Sequence, residues 1–142
     1  MRKYLLYFLL LLPLAALVTS CTPDDNDDDN VPAGDIRDQI DGTWKSQENS
    51  ATYGQQNYYV DIIKDTTTSS GIRIDNFFNM GAGKRLSATV SGSTISLSSS
   101  PFEGFVFSGN GTISSNNKSI NWSYTFFDGN ETEQVTGTYT KL

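Results

Sequence analysis

The 142-residue sequence has no histidine and only one cysteine, and these two scarcities remove most site chemistries at once. Without imidazole there is no Ser-His-Asp triad, no histidine general base and no histidine-ligated metal. A single thiol makes no internal disulfide, no thiolate zinc cluster and no CxxC redox pair. Positive charge is scarce too. Ten Lys and Arg against 16 Asp and Glu give a net charge of −6, opposite to the clustered positive charge that nucleic acid requires. The longest apolar run, Tyr4–Val18, is broken by Pro13 and falls short of the about 20 residues that a transmembrane helix needs. With both termini set aside, about 110 residues remain, enough for one small core.

Arg2 and Lys3 precede the apolar run and Thr19-Ser20-Cys21 follow it, the layout of a secretory leader over residues 1–20. Val18-Thr19-Ser20-Cys21 resembles the bacterial lipobox, in which an aliphatic residue and two small ones precede a cysteine. The resemblance implies cleavage before Cys21, a diacylglyceryl thioether on its sulfur and an N-acyl chain. An ordinary secretory signal with an incidental cysteine is the alternative. Each buried methylene is worth about 0.8 kcal/mol, so two or three acyl chains hold a protein on a membrane essentially permanently. A membrane, reached through Cys21, is the first expected partner.

Residues 21–34 follow as an acidic tether. Asp24, Asp25, Asp27, Asp28 and Asp29 repel one another, and Pro23 and Pro32 hinder a helix. Twelve or so extended residues reach about 40 Å. Asp24, Asn26 and Asp28 have the spacing of calcium ligands, but Asp29 stands where that loop needs glycine and Asp35 where it needs glutamate, so no metal is expected. An acidic run directly after the cysteine resembles the export signal of surface-exposed Bacteroidetes lipoproteins, which implies the outer membrane and the cell surface. A plain spacer is the alternative, and a periplasmic orientation stays open. From Cys21 onward the charge is −8, and the tether carries −5 of it.

Residues 35–142 read as one β domain. Asp35 suits a helix cap, Ile36 and Ile40 share a face, and Gly42 suits a helix end, which predicts a short N-terminal helix. Period-2 alternation then predicts eight strands over 43–47, 58–64, 71–77, 86–90, 94–98, 104–113, 119–127 and 133–141. Ser91-Gly92-Ser93, 115–118 and Asp128-Gly129-Asn130 suit tight hairpins. Gly109 and Gly111 inside one strand suggest a bulge or bend. Ile120, Trp122, Tyr124 and Phe126 alternate with Asn121, Ser123 and Thr125, the clearest two-faced strand. Sequential strands with one apolar face bury it by closing on themselves, so an all-β, eight-stranded antiparallel up-and-down barrel is expected, with a β-sandwich as the alternative.

Gly42-Thr43-Trp44 resembles the opening Gly-x-Trp signature of lipocalin and calycin-type barrels, and Val135–Lys141 resembles the last strand of small lipocalin-like domains on Bacteroidetes lipoproteins. The resemblance implies a helix leading into the first strand and structural roles for Gly42 and Trp44, the tryptophan plugging the closed end.

Catalytic patterns fail in turn. Gly81-Ala82-Gly83-Lys84-Arg85 lacks the earlier glycine of a phosphate loop, where Phe78 stands, and the Ser or Thr after the lysine. A dinucleotide fingerprint fails at Leu86. Asp61 and Asp75 are expected to face each other outside the barrel, near Arg73 and Lys64, as a solvated charge cluster. Serine and threonine are plentiful but no base accompanies them. No catalytic residue, metal or cofactor is therefore expected. Asp65-Thr66-Thr67 resembles the O-glycosylation pattern of Bacteroidetes envelope proteins, which implies Thr66 as an acceptor in an exposed loop.

Binding is the remaining class. The loop from Asn76 to Gly83 offers Phe77, Phe78 and Met80 at an expected barrel mouth, and Phe102 lies in a second aromatic loop. With Tyr58, Trp122 and Tyr124 from the interior face, these are the candidate ligand contacts. One expectation is a small apolar or glycan-derived ligand. The other is an envelope protein partner, such as an uptake complex, docking on loops or the outer wall. Inward bulk argues against a large cavity.

Overall fold

A computed structural model describes residues 34–142. The leader, Cys21 and the tether through residue 33 lie outside the described residues. The domain opens on α1 (Ile36–Ile40), a single turn capped by Asp35, whose carboxylate accepts the Arg37 N–H at 3.0 Å. Five residues do not hold a helix alone. Tertiary contacts do: Ile40 is fully buried, and the Trp44 indole N–H donates to its carbonyl at 2.9 Å. The helix ends at Asp41 rather than at glycine, and Gly42, at φ +120°, begins the first strand instead.

Nine strands follow: β1 (Gly42–Ser50), β2 (Gly54–Lys64), β3 (Gly71–Asp75), β4 (Arg85–Ser91), β5 (Thr94–Leu97), β6 (Pro101–Phe102), β7 (Phe105–Ile113), β8 (Ser119–Phe127) and β9 (Thr132–Lys141). Antiparallel neighbours run in sequence from β1 to β5, β5 pairs with β7, and β9 returns to β1. Eight strands thus close into a barrel, as the alternation predicts, and no sandwich forms. The ninth, β6, is an added two-residue pairing on β7.

The expected bulge lies elsewhere than the glycines suggest. β7 and β8 stay in one unbroken register from Val106↔Phe127 to Ile113↔Ile120. Along the other edge of β7 the register slips by one residue between Leu97↔Gly109 and Pro101↔Val106, so the extra residue falls within Ser98-Ser99-Ser100. Gly109 and Gly111 serve a different purpose, close approach. A Cβ on Gly109 would meet the Ser123 carbonyl and Tyr124 Cα at 2.5 Å, and one on Gly111 would meet the Trp122 ring at 2.9 Å.

Further boundaries differ from expectation, among them the start of β2, which lies at Gly54, four residues before residue 58. β3 ends at Asp75, and residues 77–79 form a 3-10 turn rather than more strand. β1 runs three residues past Gln47, which carries Glu48 into the lumen. The barrel has a helix end, with α1 and the loops 65–70, 92–93 and 114–118, and a loop end, with residues 51–53, 76–84, 103–104 and 128–131. Trp44, fully buried under α1 with the Lys141 ammonium 5.7 Å above its ring, fills the helix end.

Candidate functional site

Along β1, Trp44, Ser46 and Glu48 share the inward face, and all three are buried. A carboxylate inside an apolar barrel needs donors, and three strands supply them. Glu48 Oε2 accepts the Tyr58 hydroxyl at 2.5 Å and the Tyr124 hydroxyl at 2.9 Å, while Oε1 accepts that of Tyr139 at 2.9 Å. Burial raises the Glu48 carboxyl above its ordinary value, and the three phenols pull it part of the way back. Burial and the adjacent carboxylate push all three tyrosines well above the ordinary phenol range, so they stay protonated as donors. The cluster ties β1, β2, β8 and β9 across the lumen. Alternation from Trp44 is the one sequence signal that reaches Glu48, and ending the strand at Gln47 misses it.

Above this floor the lumen is aromatic. The chain leaves the wall after Asp75 and turns inward through Asn76, Phe78 and Asn79, each with φ between +56° and +61°. Phe77 is fully buried, its ring 5.1 Å from Tyr124, 5.2 Å from Phe107 and 5.8 Å from Trp122. Phe78 packs 4.9 Å from Phe126 and edge-on to Tyr53 at 5.5 Å. Of the seven candidate ligand contacts, Tyr58, Trp122, Tyr124, Phe77 and Phe78 are therefore buried against one another as core, and Met80 and Phe102 pack on its margin, half exposed. Phe102 is in a strand, not a loop: with Phe105 it flanks a two-residue turn in which Glu103 and Gly104 both have positive φ.

At the loop end a cleft of about 260 Å³ remains, lined by Tyr53, Gln56, Phe78, Asn79, Met80 and Phe105. Three aromatic rings and a thioether form its walls, and two amides offer donors and acceptors. A depression of about 430 Å³ lies by Gln47, Asn49, Gln55, Thr136 and Thr138, and Glu48, Trp122 and Gly137 also line it. Trp122 is its one ring among mainly polar residues, so the cleft, with three rings and a thioether, fits the usual ligand site better: apolar, with few polar groups.

In the glycine-rich loop both glycine amides are already committed within the loop and to the end of β3. Gly81 N–H donates to Asn76 Oδ1 at 2.7 Å and Gly83 N–H to Asp75 Oδ1 at 2.9 Å. Asp61 and Asp75 do stand opposite each other, but each is satisfied separately, by the Thr43 hydroxyl at 2.6 Å and by Arg85 at 3.0 Å. Arg73 pairs with Asp65 and Lys64 with Asp35 and Asp38 instead. Thr66 is exposed in the 65–70 loop, whose Asp65 carboxylate accepts the Thr67 amide and hydroxyl.

No family profile and no curated protein matches this sequence. Solved structures do match its fold. The chain is similar to EF1p2_mFAP2b bound to DFHBI, at TM-score 0.55 and 16% identity, over 76% of this chain and 98% of that one. It is similar to the redesigned β-barrel b11L5F_LGL, at TM-score 0.53 and 14% identity, over 76% and 96%. A third, the redesigned β-barrel mFAP1 bound to DFHBI, matches at TM-score 0.51 and 17% identity, over 75% and 99%. At these identities the likeness establishes the closed β-barrel fold.

Proposed function

We propose that the chain is a lipid-anchored, non-catalytic binding module of the bacterial outer membrane, presented at the cell surface, whose lipocalin-like barrel takes a small apolar or glycan-derived ligand at its loop end. The observation that carries the reading is the cleft of Tyr53, Phe78, Met80 and Phe105 with Gln56 and Asn79 at its rim. Aromatic faces stack on apolar rings and on the C–H faces of sugars, and the amides fix orientation. That two barrels of this fold are solved bound to DFHBI supports a binding role. The described chain enters the domain at the helix end, and the cleft lies at the loop end.

The test is a titration of the full chain with DFHBI and with a panel of oligosaccharides, read by the methyl and aromatic resonances of Met80, Tyr53 and Phe105. Binding that moves these signals and weakens at least tenfold in Tyr53→Ala supports the reading; a panel that moves none of them overturns it. Incorporation of labelled palmitate, lost in Cys21→Ser, tests the anchor. Intact mass before and after Thr66→Ala tests the glycan. One observation favours an envelope protein as partner instead: Phe127, Val106 and Pro101 form an outward apolar row across three strands beside the cleft. Cross-linking from Phe127 on intact cells would capture such a partner.

A further inference from the structure

We infer that residues 76–84 are a built-in occupant of a deeper ligand site: Phe77 and Phe78 fill the place that a planar aromatic ligand bearing a hydrogen-bond acceptor takes when the segment swings out, the acceptor pairing with the Trp122 indole N–H. The inference rests on the binding reading above and names its ligand class and its gate.

Four observations converge on this segment. The first is the wall. β3 pairs with β2 only from Asp61 to Lys64, so residues 54–60 of β2 have no strand on that side, and residues 76–84 cover the gap. Polar bonds hold the cover: Asn76 Nδ2 to the Tyr59 carbonyl at 2.7 Å, Asn76 N–H to the Lys84 carbonyl at 2.9 Å, the Gly81 and Gly83 amides to Asn76 and Asp75, and Lys84 Nζ to Glu103 at 2.7 Å.

Backbone conformation is the second. Asn76, Phe78 and Asn79 are non-glycine residues in the left-handed region. That is uncommon for an aromatic residue and persists only where surrounding packing enforces it. Here the enforcing contacts are those of the two rings in the lumen, so local conformation favours release and ring burial opposes it.

The third is the hinge. Gly81 and Gly83, at φ +107° and +86°, give the C-terminal limb two pivots, each tied by one N–H bond, to Asn76 Oδ1 at 2.7 Å and to Asp75 Oδ1 at 2.9 Å, that opening must break.

The fourth points to the ligand. Trp122 is 97% buried and its Nε1 has no hydrogen-bond partner among the described residues, although buried indole N–H groups usually find one. Its ring lies against that of Phe77, 5.8 Å between centroids. A phenylalanine ring offers that N–H at most a weak π acceptor; a planar ligand with a carbonyl or phenolate oxygen offers a full one. The occupant thus matches the shape of the site and leaves its polar requirement unmet.

The experiment uses the full chain with two fluorescent probes of one shape, 2-acetylnaphthalene, which carries an acceptor, and 2-ethylnaphthalene, which does not. Phe77→Ala is expected to tighten binding of both at least tenfold, and adding Trp122→Phe is expected to cost the acetyl probe at least fivefold while leaving the ethyl probe unchanged. Unchanged or weaker binding by a folded Phe77→Ala protein overturns the inference, as does equal loss of both probes with Trp122→Phe. If Phe77→Ala does not fold, fluorine-labelled phenylalanine in the unsubstituted chain replaces it: the Phe77 resonance should become accessible to a soluble paramagnetic agent on saturation with the acetyl probe, and continued protection overturns the proposal. Probe binding that responds to Tyr53→Ala but not to Phe77→Ala overturns the gate and spares the cleft; the converse spares the gate and overturns the cleft.

Discussion

Glu48 and Tyr58, diagonal neighbours across the β1–β2 hairpin, meet with 2.5 Å between carboxylate and hydroxyl, and this bond anchors a cluster whose charge opposes the fold. Folding raises the Glu48 carboxyl above its ordinary 4.5, so the domain favours the protonated form. No cost arises below pH 4.5, where both folded and unfolded chains are protonated; stability then falls as pH rises through the raised folded value. Glu48→Gln keeps the shape without the charge. Its melting temperature should be nearly independent of pH from about 5 to 8, where the unsubstituted protein declines. Glu48→Ala should cost about 3–5 kcal/mol, because it leaves three buried hydroxyls and a void. Thermal melts across pH check both.

Among the described residues Tyr139 is the sole donor to Glu48 Oε1. Tyr139→Phe removes one bond to a buried carboxylate, about 1–3 kcal/mol, and with less support for the charged form the decline with pH should steepen. In Glu48→Gln the same substitution should lose its pH dependence, so a double-mutant cycle in urea at pH 5 and pH 8 isolates the coupling. Equal cycle energies at the two pH values would contradict it.

This cluster also marks where sequence reading stops. The barrel is legible because alternation is local: Ile120, Trp122, Tyr124 and Phe126 occupy every second position and all lie in the core. Glu48 obeys the same alternation, yet an inward glutamate makes sense only with its donors known, and they lie 10, 76 and 91 residues away. Phe77 misleads for the opposite reason. It continues the pattern of Ile72 and Ile74 loosely enough to extend β3, but Asn76 takes a left-handed conformation and turns the chain inward. Asparagine tolerates that conformation, which is the one local hint. The mouth cleft draws Tyr53 and Gln56 from a hairpin that composition alone leaves featureless.

Asp35 sets the acid limb. Its carboxylate accepts Arg37 Nη2 at 2.7 Å and lies 2.9 Å from Lys64 Nζ, and these partners hold it far below its ordinary 3.8. The stabilisation of a lowered carboxyl is complete above the unfolded value and is lost as pH falls toward the folded one. Asp65, Asp75, Asp128 and Glu133 are lowered too, so the decline below about pH 4 is shared. Combined with the opposite slope from Glu48, this places the highest melting temperature near pH 4–5. Asp35→Asn should shallow the acid limb. It should also speed hydrogen exchange in residues 65–71, because Arg37, freed of Asp35, holds the Asp65, Thr68 and Gly71 carbonyls less firmly.

Three glycines predict a graded series. At Gly129, φ is +100° and nothing lies within 4 Å of an added Cβ, so Gly129→Ala bears only backbone strain, about 1 kcal/mol. Gly111→Ala would press the Trp122 ring at 2.9 Å, a side chain wedged between strands with little room to yield, and should cost about 2–3 kcal/mol. Gly109→Ala combines both penalties: φ is +143°, and the new methyl meets the Ser123 carbonyl and Tyr124 Cα at 2.5 Å, backbone that moves only if the β7–β8 pairing opens. Such an opening would carry Tyr124 away from Glu48 and the barrel with it. Gly109→Ala should therefore fall largely in the unfolded fraction, while the other two unfold cooperatively in urea at midpoints ordered Gly129→Ala above Gly111→Ala. A folded Gly109→Ala protein with an unshifted midpoint would mean that the wall at β7 is softer than its close contacts imply.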